Sequence, residues 1–165
     1  MKHQYEYENK RIILKPLEAE DIENLRNLRN RNRHFFATQA EITKEGQKNW
    51  YCSYLNKDND IMFKVVLSKK PEQFVGAVAV YDIDWEQKVC EFGRIVIDKE
   101  LAAQRGIGTE TVEGICCFAF TKLKMKKIKA EVLKTNERAM AVYQKTGFVV
   151  KGETESMYEL ELVKC

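Results

Sequence analysis

The residues best equipped for chemistry stand in "AAQRGIGTETV", Ala102 to Val112, where two of the chain's eight glycines lie one residue apart before an amphipathic run. Arg105, Gly106, Ile107, Gly108 and Thr109 bring free backbone amides, a positive helix end and a guanidinium to one place. That combination cradles an anion, most naturally a phosphate or pyrophosphate. The same glycines could do no more than shape a turn. Neither G-x-G-x-x-G nor G-x-x-x-x-G-K-[ST] occurs, so the two common nucleotide loops are excluded.

Two further groups stand out. In "CEFG", Glu91 is flanked by Cys90 and Phe92. A carboxylate among apolar neighbours has a raised pKa and can accept a proton near neutrality. A solvent-facing position on an alternating strand is the other reading. The tract "RNLRNRNR" holds four arginines between Arg26 and Arg33, followed by His34 and Phe35. Arginine grips phosphate and carboxylate bidentately, although a charged surface helix would look the same. The lysines of "KLKMKKIK" read as a solvated face.

The elements that must position these groups follow from periodicity. "RIILKPL" reads as a first strand and "EAEDIENLRNLRN" as a helix with Ile22, Leu25 and Leu28 on one face. Thr43 is expected to cap a second helix, "KEGQKNWYCSYLNK", with Trp50, Tyr51 and Tyr54 together. "IMFKVVLS", "FVGAVAVYDI" and "VCEFGRIVI" are strands joined by "KKPEQ" and "DWEQK". "KELAAQ" reads as a loop. The helix after the glycines carries Val112, Ile115, Cys116, Ala119, Phe120 and Leu123 at helical spacing. "KKIKAEVLK" is a strand, Asn136 caps "ERAMAVYQKT", Gly147 ends it, and "FVVKGE" and "MYELELVK" pair antiparallel. The order β-α-α-β-β-β-α-β-α-β-β predicts an α+β fold, a mixed and mostly antiparallel sheet flanked by helices.

Composition narrows the class. The 165 residues, 44% hydrophobic and 32% charged, read as a single domain over 1–165 of a soluble globular protein. No window reaches the roughly 18 apolar residues of a membrane span. The opening "MKHQYEYENK" lacks the apolar core of a signal peptide, so the expected location is the cytoplasm. Five cysteines without a C-x-x-C pair and two histidines argue against a metal centre, and the thiols are expected reduced and mostly buried. A net charge of +3 is too mild to announce nucleic acid, and no such partner is expected.

"TNERAMAVYQKTGF" adds a signature. N-x-x-A-x-x-x-Y followed by G-F is complete at Asn136, Ala139, Tyr143, Gly147 and Phe148. With "AQRGIG" and the element order, the chain resembles the GCN5-related N-acetyltransferase (GNAT) superfamily over nearly its whole length. That family's loop reads [Q/R]-x-x-G-x-[G/A]; Ala103 departs at the first position, and Gln104 or Arg105 is left to supply the donor. The resemblance implies acetyl-CoA as donor and no metal. It implies that Ile95, Val96 and Ile97 pair with the pantetheine arm, that Gln104 to Thr109 hold the pyrophosphate, and that Asn136 bonds the pantetheine or acetyl region. It implies Tyr143 as the acid that protonates the departing thiolate, and it favours Glu91 as the base, with a water in that role as the alternative.

Such chemistry needs a neutral amine, donors for the developing oxyanion and a proton for the leaving sulfur, and it needs no covalent intermediate. For the acceptor, Arg29, Asn30, Arg31, Arg33 and Tyr81 are the expected contacts. They suit a small-molecule amine carrying phosphates, such as a nucleotide-linked amino sugar. The resemblance extends nearly as closely to ribosomal-protein N-terminal and polyamine acetyltransferases. A non-enzymatic acetyl-CoA-binding or basic nucleic-acid-binding module is a further alternative. Sheet edges in this fold commonly pair, so a homodimer is compatible with it.

Overall fold

Alternating apolar residues become strands and 3.6-residue stripes become helices along most of the chain. The computed structural model describes residues 2–102 and 105–164. The strands are β1 (Tyr7–Asn9), β2 (Ile12–Pro16), β3 (Ile61–Leu67), β4 (Gly76–Asp84), β5 (Val89–Ile97), β6 (Lys127–Leu133), β7 (Val149–Glu153) and β8 (Met157–Val163). The helices are α1 (Ile22–Arg31), α2 (Lys44–Leu55), α3 (Lys99–Ala102), α4 (Ile107–Thr121) and α5 (Glu137–Thr146). All the strands join one sheet in the order β1-β2-β3-β4-β5-β6-β8-β7. Every neighbouring pair is antiparallel except β5–β6, which is parallel. The expected mixed, mostly antiparallel α+β architecture is therefore observed. Among the described residues no helix is long and apolar enough to cross a membrane, and no group of three His, Cys, Asp or Glu side chains could hold a metal ion.

The sheet buries two cores. On one face α4 and α5 cover Ile12, Phe63, Val78, Phe92 and Ile128. Phe118 of α4 is fully buried there, edge-on to Phe63 at 4.9 Å. Burying such a ring stabilises by about 1.5–3 kcal/mol. On the other face Leu25 and Leu28 of α1 and Tyr51 and Tyr54 of α2 pack on Met62, Ala77, Ala79 and Val96. Trp50 stacks on Tyr54 at 5.5 Å, as the shared face predicted. Thr43 caps α2 by accepting from the Gly46 N–H at 3.0 Å. Cys90 and Cys116 are buried, whereas Cys52 and Cys117 are exposed; these four are free thiols.

Two short elements were not expected from the sequence. Strand β1 is only Tyr-Glu-Asn, too short for a period, and gains its form by pairing with β2. Helix α3 lies inside the expected loop, where the Asp98 carboxylate accepts from the Glu100 and Leu101 N–H groups at 3.0 and 3.1 Å.

The feature that shapes the molecule lies between β5 and β6. They pair only at Val89–Lys127, Cys90–Ile128 and Glu91–Lys129. Beyond Glu91 they part. On its other side β5 carries a bulge: Ala77 faces Val96 while Ala79 faces Gly93, and Arg94 between them takes φ 51°. A bulge bends and twists its strand, which turns β5 away from its parallel neighbour.

The Arg94 guanidinium secures that bend by reaching both oxygens of buried Asp60, at 2.8 and 3.0 Å. Breaking a buried pair leaves one charge uncompensated and costs about 3–5 kcal/mol. Asp60→Ala is therefore expected to lower stability by a few kcal/mol in chemical denaturation. A change within the ±0.5 kcal/mol typical of surface substitutions would show that Asp60 does not secure the bulge.

Candidate active site

Gly106 and Gly108 do different jobs. Gly106 is the N-cap of α4 with φ 87°, a left-handed conformation that costs an L side chain about 1–2 kcal/mol. Gly108 sits inside the first turn, and a Cβ built on it meets nothing within 4 Å. The second glycine is thus demanded by no protein neighbour; it leaves the first-turn amides uncovered toward open space. A charged phosphate can approach the main chain closely there.

The loop is held from behind. The Glu110 carboxylate of α4 accepts from the Arg11 Nε at 2.7 Å and from its backbone N–H at 3.1 Å. Arg11 Nη2 then donates to the Arg105 carbonyl at 2.8 Å. The glycine turn is in this way tied to the start of β2.

The parting of β5 and β6 opens into a cleft of about 970 Å³. One wall is β5 from Gly93 to Ile97; the other is Glu131, Val132 and Leu133 of β6 with Asn136, Arg138, Ala139, Val142 and Tyr143. Arg105, Gly106, Ile107 and Gly108 close one end, and Arg29, Phe36 and Tyr81 line the other. The glycine turn and one arginine of the tract, Arg29, far apart in sequence, open onto the same space.

Asn136 caps α5 by accepting from the Ala139 N–H through Oδ1 at 3.2 Å, which leaves its amide Nδ2 to donate into the cleft. Tyr143 is 6% exposed and lies edge-on to Phe92, 5.2 Å between ring centroids. Burial pushes its phenol well above the ordinary value, with smaller contributions from Tyr81 and Cys116. At neutral pH it is a protonated hydroxyl, able to donate.

Glu91 and Tyr81 are cross-strand partners on β4 and β5. Tyr81 lines the cleft, whereas Glu91 is not among its lining residues. Burial raises the Glu91 carboxyl above its usual range, reinforced by Asp82 and Glu131 and opposed by Lys129 and a hydrogen bond from Tyr81. The Tyr81 phenol is itself pushed up to about 12, first by burial and then by Glu91. A Cβ at Gly93 would fall 2.7 Å from the Tyr81 hydroxyl, so the strand is bare where that ring must lie.

Two of the other expected acceptor residues, Arg31 and Asn30, are turned to structural partners. Arg31 Nη2 binds the Asp98 carboxylate at 2.9 Å. Asn30 exchanges two hydrogen bonds with Ile42, 2.9 and 2.8 Å long. Arg33 is exposed and Thr109 half-buried, and neither lines the cleft. Gln104 lies outside the described residues. Sequence reasoning missed Arg94, whose role comes from an unsignalled bulge, and Glu131, which reads as one more charge on an alternating strand. It also missed Phe36, adjacent to the flagged tract, and the Arg11–Glu110 tie, whose partners are far apart in the chain.

A splayed mixed sheet with an anion-cradling helix end and a neutral phenol at the junction defines a transferase that handles a phosphate-bearing donor. Residues 11–149 match the acetyltransferase (GNAT) domain model, and the chain belongs to that family. It is an acetyl-CoA-dependent N-acetyltransferase. The probable N-acetyltransferase YjcK of Bacillus subtilis is 31% identical over 87% of this chain and 83% of its own. Spermidine N(1)-acetyltransferase of Escherichia coli K12 is 29% identical over 86% of this chain and 75% of its own. Among solved structures, apo FdhC, a nucleotide-linked sugar GNAT, superposes with a TM-score of 0.85 at 18% identity, covering 98% and 91% of the two chains. That likeness is one of fold.

Gly106→Ala would force the strained turn, and the amides of α4 would lose their aim. A rise in the acetyl-CoA Kd of about tenfold is expected by calorimetry, in line with the 1–2 kcal/mol of backbone strain. An unchanged Kd would show that the donor does not use this turn.

Proposed function

We propose that the protein transfers acetyl directly from acetyl-CoA to the primary amine of a small molecule, with a nucleotide-linked amino sugar as the leading acceptor. The donor's pyrophosphate sits on the amides and guanidinium of Arg105 to Gly108, with Thr109 next to them in the first turn of α4. Its arm runs along Ile95, Val96 and Ile97 toward the Asn136 amide. The observation that carries the reading is the buried, protonated Tyr143 on the wall of the one cleft that also holds the anion cradle.

The amine nitrogen attacks the thioester carbon while backbone amides beside Val96 meet the charge growing on the carbonyl oxygen. As the carbon–sulfur bond breaks, Tyr143 gives its proton to the thiolate. The proton released from the amine passes toward Glu91, across Tyr81 or a water, because Glu91 is set back from the cleft. Holding the amine and thioester together contributes most of the rate gain.

An acceptor bearing phosphates is supported by Arg29 and by the fold's likeness to a nucleotide-linked sugar enzyme. A polyamine acceptor is the second reading, favoured by the spermidine acetyltransferase relative and by Glu131 in the cleft wall. Free thiol released from acetyl-CoA in a panel of UDP- and dTDP-linked amino sugars and spermidine separates them.

Tyr143→Phe is expected to lower kcat about a hundredfold, within the range for general acids, with acetyl-CoA affinity nearly unchanged. Unaltered turnover would remove Tyr143 from its role. Glu91, with its raised pKa, is protonated and inert at low pH and gains base function only as pH rises through that value. The acid limb of kcat/KM should lie above the ordinary carboxylate range and disappear in Glu91→Gln. A limb that survives in that variant would assign the base elsewhere.

A further inference from the structure

Three arginines near Arg29 in the chain or in space already have a carboxylate. Arg26 is paired with Glu23 at 2.7 Å, Arg31 with Asp98 at 2.9 Å and Arg94 with Asp60 at 2.8 Å. Arg29 differs. It lines the cleft, its guanidinium lies 3.7 Å over the Phe36 ring, and its buried Nε has no hydrogen-bond partner. Among the described residues no carboxylate pairs with it. A half-buried charge without a counter-ion is costly, and a stack on one aromatic ring offsets only part of that cost.

The surroundings have a direction. Burial, and then the like charge of Arg94, bring the Arg29 pKa down to about 10 against the opposing influence of the Tyr81 phenol. No carboxylate enters that set. Acids stand close to Tyr81 as well: Asp82 and Glu131 act on both Glu91 and Tyr81, opposed by Lys129 at Glu91 and by Arg94 at Tyr81. The acceptor end therefore brings both signs near Tyr81: the Arg29 guanidinium, which no carboxylate pairs among the described residues, and the acids Glu131, Glu91 and Asp82.

We propose that Arg29 receives an anionic group of the acceptor, a phosphate or carboxylate, while the acceptor's amine lies toward the Tyr81–Glu91 side. This rests on the acetyl-transfer reading above and narrows its acceptor to molecules carrying both an amine and an anion. A phosphate or carboxylate completes the guanidinium with two parallel charge-assisted hydrogen bonds. A polyamine would instead set an ammonium against an unneutralised arginine. The arginine thus both selects the anionic acceptor and repels the cationic one.

The test compares acceptors differing in one group at saturating acetyl-CoA. An amino sugar is set against its phosphate ester, an ω-amino carboxylate against its amide, and spermidine stands as the polycation. The wild-type protein is expected to favour an anionic member by about 10–100-fold in kcat/KM, the range of charged hydrogen bonds. Which pair shows the preference tells phosphate from carboxylate. Arg29→Gln should erase the preference through KM, and Arg29→Lys should keep part of it. A preference that survives Arg29→Gln, or wild-type protein that favours spermidine over both anions, overturns the proposal.

If no amine releases thiol, the acetyl-transfer reading fails, and Arg29 is judged by binding alone. Inorganic pyrophosphate or succinate added to the CoA-saturated protein should raise Tm in the wild type and not in Arg29→Gln. No shift with either probe overturns the subsite. Without any ligand, Arg29→Met should raise Tm by a few degrees, roughly the response to about 1 kcal/mol in a domain of this size. A lower Tm would mark Arg29 as a packing element and likewise overturn it.

Discussion

Everything in this molecule that can do chemistry depends on two parallel strands ceasing to pair. β5 and β6 share three residue pairs and then separate, and the bulge at Arg94 provides the bend that separates them. Main-chain groups of Gly93 to Ile97 that would have served a ladder are left facing a space with polar capacity to satisfy. Buried amides and carbonyls seek partners. A pantetheine arm, itself built from amides, is the kind of partner that such a half-strand accepts. The Asp60–Arg94 pair and the Arg11–Glu110 tie can be understood as two anchors for this one opening, the first on the strand and the second on the turn.

Around Tyr81 the charges are arranged to discriminate. Arg29 and the Glu91, Asp82 and Glu131 carboxylates all lie near that ring, and on the proposal above the arrangement favours an acceptor that is itself dipolar. The relatives of this chain include a spermidine acetyltransferase and the neighbouring folds a nucleotide-linked sugar enzyme. One scaffold can host both if the donor half rests mainly on main-chain groups, with few side chains such as Arg105, Asn136 and Tyr143, whereas the acceptor half is built from side chains.

That division also explains what could be read in advance. The glycine turn, Asn136 and Tyr143 were legible because their spacing along one or two consecutive elements already encodes their geometry. Strand β5 and helix α5 begin and end where alternation and capping predicted. Arg31 and Asn30 look like Arg29 in the sequence but face Asp98 and Ile42 once α1 is docked. Glu91 was found by its apolar neighbours, yet its remoteness from the cleft depends on which face of β5 turns inward after the bulge.

The chain alone therefore determined the order of elements, the glycine turn before α4 and the signature that marks the family, since local periodicity and caps act over a few residues. Tertiary structure decided which arginine of the tract faces the cleft, how far the strands part and which carboxylates lie near Tyr81. Those outcomes arise from contacts between residues tens of positions apart, and no spacing within one element encodes them.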